Sequence, residues 1–256
     1  MIKTDKVNEM KRKYFNVIFA ILVLLSMLLL SDKSVEVMKR IFQPVDTKSE
    51  KGTIVIDPGH GGFDPGKVGV NGALEKDINL SISKKLQELL TAEGYDVVMT
   101  RETDEALCSE TDSNKKSTDM KNRVKLLEET KPLLAISIHQ NSFTQESSRG
   151  AQVFYYSGSI EGEKFAKIMQ QTIKESIADG NHRIEKPNTA YYLLKKTTCP
   201  LVIVECGFLS NHAEASLLVT QEYQEKMASA IKDGIIKYLA SEEGSNENNN
   251  TESNIN

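Results

Sequence analysis

Three near-continuous apolar runs constrain this chain more than any other feature: Ile54-Val55-Ile56, Leu133-Leu134-Ala135-Ile136-Ser137-Ile138 and Leu201-Val202-Ile203-Val204. Each has the length and character of a strand buried on both faces, the hallmark of a parallel sheet with helices above and below it. Helical patterns lie between and after these runs. The stretch Glu75–Thr91 places Ile78, Ile82, Leu86 and Leu89/Leu90 on one face, and Met120–Glu129, Glu161–Ala178 and Glu222–Ala240 repeat the habit. Tyr95–Thr100, Ala151–Tyr156 and Ala190–Leu194 are expected as further strands. The alternation implies an α/β fold: one domain with a mostly parallel sheet and helices on both faces.

Each main run ends in a side chain capable of acid–base or metal chemistry. The first stops at Asp57-Pro58-Gly59, a turn that continues neither strand nor helix, and His60 follows between Gly59 and Gly61-Gly62. The second ends in His139-Gln140-Asn141, and the third in Glu205-Cys206-Gly207. In open α/β sheets ligands bind outside the carboxyl ends of the strands, and a helix starting at Glu75 can fold back to that edge. His60, Glu75 and His139 form a two-histidine, one-carboxylate set of the kind a catalytic zinc takes, leaving a fourth position for water. Such an ion lowers the pKa of its water toward about 7 and polarises a carbonyl. Amide hydrolysis then needs a base, and Glu205 fits that role.

Duller readings exist for each residue. Glu75 and Asp77 at a helix start complement its dipole, worth about 0.3–1 kcal/mol. A lone histidine after a strand is most often hydrogen-bonded structure, and Glu205 could be a buried carboxylate paired with Arg123 or a lysine. Taken together, these readings require four coincidences at one sheet edge. Asn141 is a candidate for orienting a ligand or touching substrate, with a turn-forming role as its alternative. Lys195, with Lys196, is a candidate for meeting peptide carboxylates, with a solvated pair as the alternative. His182 and His212 lie in polar, loop-like surroundings and read as surface residues. Neither HExxH nor a phosphate-binding GxxxxGK[ST] occurs.

The N-terminus reads differently from the rest. A basic lead, residues 1–13, precedes the apolar run Tyr14–Leu30, which as a helix would span about 26 Å. That is near the lower limit for a bilayer core. Without an A-x-A site after it, the run is expected to be an uncleaved signal anchor or transmembrane helix, with the body outside the cytoplasmic membrane. Residues 31–51 form a polar linker, 52–240 the catalytic domain, and 241–256 an Asn/Glu/Ser-rich tail expected to be disordered. That tail holds four glutamates and no lysine or arginine, so the remainder balances at 32 basic against 32 acidic residues. A neutral body offers no basic stripe for nucleic acid. Three cysteines without a CxxC pair argue against a disulfide framework, and Cys199 and Cys206 read as small core residues.

The blocks IDPGHGGFDPG…GALEKDINL, SIHQNSF and VECGFLSNHAEASLL, in that order and spacing, resemble the zinc-dependent N-acetylmuramoyl-L-alanine amidases of the amidase-3 type. The likeness runs through residues 53–240. It implies a twisted six-stranded sheet, one zinc ion on His60, Glu75 and His139, and Glu205 as the catalytic glutamate. The implied substrate is peptidoglycan, cut at the amide joining the lactyl group of N-acetylmuramic acid to L-alanine. The stretch TAYYLLKKTTCPLVIVECGFLSN and the single domain behind a short anchor resemble the germination-specific, spore-cortex members of endospore formers, which prepare muramic-δ-lactam. Division-type members carry an inserted helix that plugs the site between the second histidine and the glutamate. Here strands and one helix fill that interval, so control is expected from expression, location or an activating partner protein. The alternatives are a zinc peptidase cutting within the stem peptide and an inactive wall-binding scaffold.

Overall fold

The computed structural model describes residues 18–19, 49 and 51–253, with side chains described through residue 244. The signal-anchor segment expected at Tyr14–Leu30 lies outside the described residues apart from Ile18 and Phe19. Among the described residues no helix is long and apolar enough to cross a membrane.

Twelve elements follow one another from Thr53: β1 (Thr53–Pro58), α1 (Glu75–Ala92), β2 (Asp96–Met99), α2 (Lys115–Thr130), β3 (Leu134–Asn141), β4 (Gln152–Tyr156), α3 (Ile160–Ile177), β5 (Lys186–Asn188), α4 (Tyr192–Lys196), β6 (Leu201–Phe208), α5 (His212–Leu218) and α6 (Gln221–Ser253). The strands form one six-stranded sheet in the order β2-β1-β3-β6-β4-β5. Every pairing is parallel except β4 with β6. The mostly parallel α/β architecture expected from the apolar runs is therefore present.

The two-residue period of the strands sorts side chains onto two faces. Ile54, Ile56, Leu134, Ile136, Ile138, Val202 and Val204 point to the larger core, where they meet Ile82 and Leu86 of α1, Phe165 and Met169 of α3, and Ile231 and Ile235 of α6. Val55, Ala135, Leu201 and Ile203 point the other way, to a smaller core with Val124 and Leu127 of α2 and Leu193 and Leu194 of α4. Cys206 is buried in the larger core and all three cysteines are free thiols.

Three elements differ from the sequence reading. The strand expected at Ala190–Leu194 is the helix α4, and the edge strand β5 precedes it. The Asn188 side chain accepts hydrogen bonds from the backbone N–H groups of Ala190 and Tyr191, which turns the chain before it can pair. A five-residue apolar run does not distinguish strand from helix by periodicity. The helix α5 was not expected; Asn211 caps it by accepting from the Glu214 N–H, an N-cap signal that Asn211-x-x-Glu214 carries in the sequence. Finally, α6 runs from Gln221 through Ser253, past the helix end expected at Ala240. No proline interrupts this stretch, and Glu242 pairs with Lys164 of α3 just past Ala240.

Beneath the carboxyl edge lies a buried ionic cluster. Arg123 on α2 bonds Asp57 Oδ1 at 2.6 Å and Asp119 Oδ2 at 2.8 Å. The hydroxyls of Ser137 and Thr100 also donate to Asp57. Burial opposes ionisation of Asp57, but Arg123 and the two hydroxyls outweigh it and hold its carboxyl at about 2. Asp57 thus contributes about 2 kcal/mol of stability that is present above about pH 4 and lost as pH falls toward 2. Urea melts between pH 7 and pH 2.5 should show this loss, and Asp57→Asn should flatten the dependence.

Candidate metal centre and active site

In the register of the sheet, Asp57, Ser137 and Ile203 stand side by side on β1, β3 and β6. Two residues on, His139 stands beside Glu205. Because the same face recurs every second residue, the row that ends the smaller core is followed by a row of chemistry at the strand ends. A register irregularity between His139 and Asn141 then splays the end of β3.

Glu75 reaches this edge as the first residue of α1. Its backbone N–H donates to Lys67 O, and the Lys67 N–H donates to Glu75 Oε2 at 2.8 Å. Its Oε1 accepts from the Gln140 N–H at 3.1 Å and faces His60 Nε2 at 3.1 Å and His139 Nδ1 at 3.0 Å. A helix-start glutamate complementing the dipole would face water, whereas Glu75 is buried. Burial raises its pKa, yet its contacts with His139 and His60 outweigh that and leave it well below the usual carboxylate range.

The histidines arrive by different devices. His60 has a left-handed backbone, φ +63°, a conformation that costs a non-glycine residue roughly 1–2 kcal/mol. Its Nδ1 lies 3.0 Å from Asp64 Oδ2, which assigns the proton to Nδ1 and leaves the Nε2 lone pair, on the side of Glu75, free to ligate a metal. His139 packs over Gly59 so closely that a Cβ there would stand 2.2 Å from its Cε1. Gly59→Ala should therefore displace the ring and lower metal content in the purified protein, with little change in the far-UV circular dichroism. At Gly66, φ +68°, a Cβ would meet Glu75 Oε2 at 2.5 Å.

One ligand atom from each of His60, Glu75 and His139 lies within 4.8 Å of the others. Two imidazoles and a carboxylate converging from an edge, with the second nitrogen of His60 tied to Asp64, have the donor chemistry of a catalytic zinc site. Glu205 lies beside them, and its Oε2 is buried without a hydrogen-bond partner. Burial is the main cause that pushes its carboxyl up to about 7; His139 and His60 act against the rise and Glu75 adds to it. Arg123, a partner considered for Glu205, bonds Asp57 and Asp119 instead.

All four residues line an open cavity of about 520 Å³, which Asn141, Lys67, Lys116 and Tyr191 also line. Asn141 accepts from the Ser142 N–H through its own side chain. Lys195 is exposed on α4 and is not among the lining residues; the cavity's lysines are Lys67 and Lys116. Asp64 is a site residue that the strand-end pattern does not reach, although its place four residues after His60 is a usable signal. His182 and His212 are exposed, and His212 faces Glu146 at 3.2 Å.

The comparisons with known proteins agree with this geometry. Residues 54–237 match the family model Amidase_3, N-acetylmuramoyl-L-alanine amidase. The germination-specific N-acetylmuramoyl-L-alanine amidase of Bacillus subtilis (strain 168) is 39% identical over 73% of this chain and 79% of its own. The structure of the CwlD amidase from Clostridioides difficile, in complex with the GerS lipoprotein, superposes with a TM-score of 0.72 at 41% identity, covering 74% of this chain and 99% of that one. The amidase AmiC2 of Nostoc punctiforme superposes at 0.66 with 34% identity, covering 75% and 99%. Together with the strand-end site, these matches show that the chain belongs to the N-acetylmuramoyl-L-alanine amidase family and is a peptidoglycan amidase similar to its germination-specific members.

Proposed function

We propose that the protein is a zinc-dependent amidase that hydrolyses the bond between the lactyl group of N-acetylmuramic acid and L-alanine. The convergence of His60 Nε2 and His139 Nδ1 on the Glu75 carboxylate, with the unpartnered Glu205 Oε2 alongside, carries this reading. His60, Glu75 and His139 would hold one zinc ion, which when bound supplies Lewis acidity to a water and to the scissile carbonyl. Glu205 takes the proton of the attacking water and returns it to the leaving amine of L-alanine; a carboxylate raised toward neutrality suits both halves of that task. Asp64 keeps His60 in the right tautomer. Lys67 and Lys116 at the cavity wall place positive charge where a stem peptide bearing carboxylates would lie.

The similarity to the germination-specific amidase supports a role in spore-cortex maturation, at the step that strips peptide from muramic acid before lactam closure. In that role the catalytic domain works outside the cytoplasmic membrane, tethered by Tyr14–Leu30. Because the CwlD amidase was solved with a lipoprotein, an activating partner at the membrane surface fits the same setting. Metal content of the purified protein tests the cofactor: one zinc per chain, lost with activity on chelation and restored by zinc, is expected. Full activity after metal removal would refute it. The cortex role predicts spores lacking muramic-δ-lactam when the gene is deleted; unchanged lactam would refute that role alone.

A further inference from the structure

Behind the metal centre two buried arginines face the loop that carries His60. Three successive carbonyl groups, those of Pro58, Gly59 and His60, turn toward them. Pro58 O accepts from Arg101 Nε and Arg123 Nη1, both at 3.0 Å. Gly59 O accepts from Arg101 Nη2 at 3.0 Å, and His60 O accepts from Arg123 Nη2 at 2.7 Å. Both guanidiniums are 2% exposed.

Arg101 makes the purpose of the arrangement plain. Its hydrogen bonds go to four main-chain carbonyls: Pro58, Gly59, Thr103 and Lys76. A buried guanidinium is normally satisfied by a carboxylate. Here the fork is used to gather backbone instead. Asp57 and Asp119 both pair with Arg123, which leaves Arg101 free to spend its fork on the backbone.

We propose that Arg101 and Arg123 are positioning residues of the metal centre: by binding the carbonyls of Pro58, Gly59 and His60 they hold His60 in its left-handed conformation and so set the affinity for the metal. Residues 60, 61 and 62 all have positive φ, at 63°, 130° and 54°, and two of the three are glycines with no intrinsic preference for that hand. Released from the arginines, His60 would return to the more populated regions of backbone space, and its Nε2 would leave the line to Glu75 and His139. The planar fork matters as well as the charge: Arg123 reaches Asp57, Asp119, Pro58 O and His60 O together, which the single ammonium of lysine cannot do.

This inference rests on the zinc reading above, and the test separates the two. Zinc affinity of the full-length chain is measured by competition with a chromogenic chelator for the wild type, Arg101→Lys, Arg123→Lys and a control, Leu90→Ala, which destabilises the core far along α1 from the site. The expected result is a roughly 10- to 100-fold weaker affinity in both arginine variants. The control should lower the melting temperature yet leave affinity within about twofold, and a merely structural role would make the arginine variants behave like the control. Wild-type affinity in folded arginine variants would overturn the inference and leave the zinc site standing. No zinc binding by the wild type would overturn the zinc reading and the inference with it. Should Arg123→Lys fail to fold, Arg101→Lys, which keeps both ion pairs of Arg123, decides the question.

Discussion

Glu205→Gln is expected to retain zinc and to lose at least a few hundredfold in turnover, the usual range when a general base is removed. The substitution preserves shape in a side chain that is 7% exposed, so packing and the neighbouring ligands should stay in place. What it removes is the ability of Oε2 to take a proton, and that oxygen has no hydrogen-bond partner to occupy it otherwise. Rates on purified peptidoglycan, set beside metal analysis of the same preparation, check this. A variant with wild-type turnover would show that the base lies elsewhere.

Glu75→Ala should act on the other half of the site and abolish metal binding and activity together. The carboxylate is the common partner of His60 Nε2, His139 Nδ1 and the N–H groups of Gln140 and Lys67. Its loss would remove one of the three proposed ligands and would also leave the buried Gln140 N–H unmatched, costing about 1–3 kcal/mol. Lower thermal stability should therefore accompany the loss of zinc. Retention of stoichiometric zinc in Glu75→Ala would remove Glu75 from the ligand set.

The residues at the strand ends were legible because buried parallel strands announce themselves as apolar runs, and the sheet delivers whatever follows to one edge. His60, His139 and Glu205 needed no more than that, and Glu75 only a helix start close in sequence to the first strand. The supporting shell was much less legible. Asp119 lies one helical turn before Arg123, a pairing that spacing encodes, but Asp57 is far away in the chain, and the choice of Asp57 over Glu205 as the second partner of Arg123 is made by how α2 crosses β1. The apolar stretch before Lys195 was misread as a strand because the decision to turn is taken by one side chain, Asn188. The last helix passes its expected end at Ala240, where the contact of Glu242 with Lys164 of α3 is long-range and invisible to composition.

The most direct test of the account is product analysis after digestion of purified peptidoglycan by the purified protein, with zinc and with chelator, using mass spectrometry. Zinc-dependent release of intact stem peptides that begin with L-alanine is expected, leaving N-acetylmuramic acid with a free lactyl carboxylate. Shortened peptides, cut between amino acids while the lactyl–L-alanine bond survives, would contradict it.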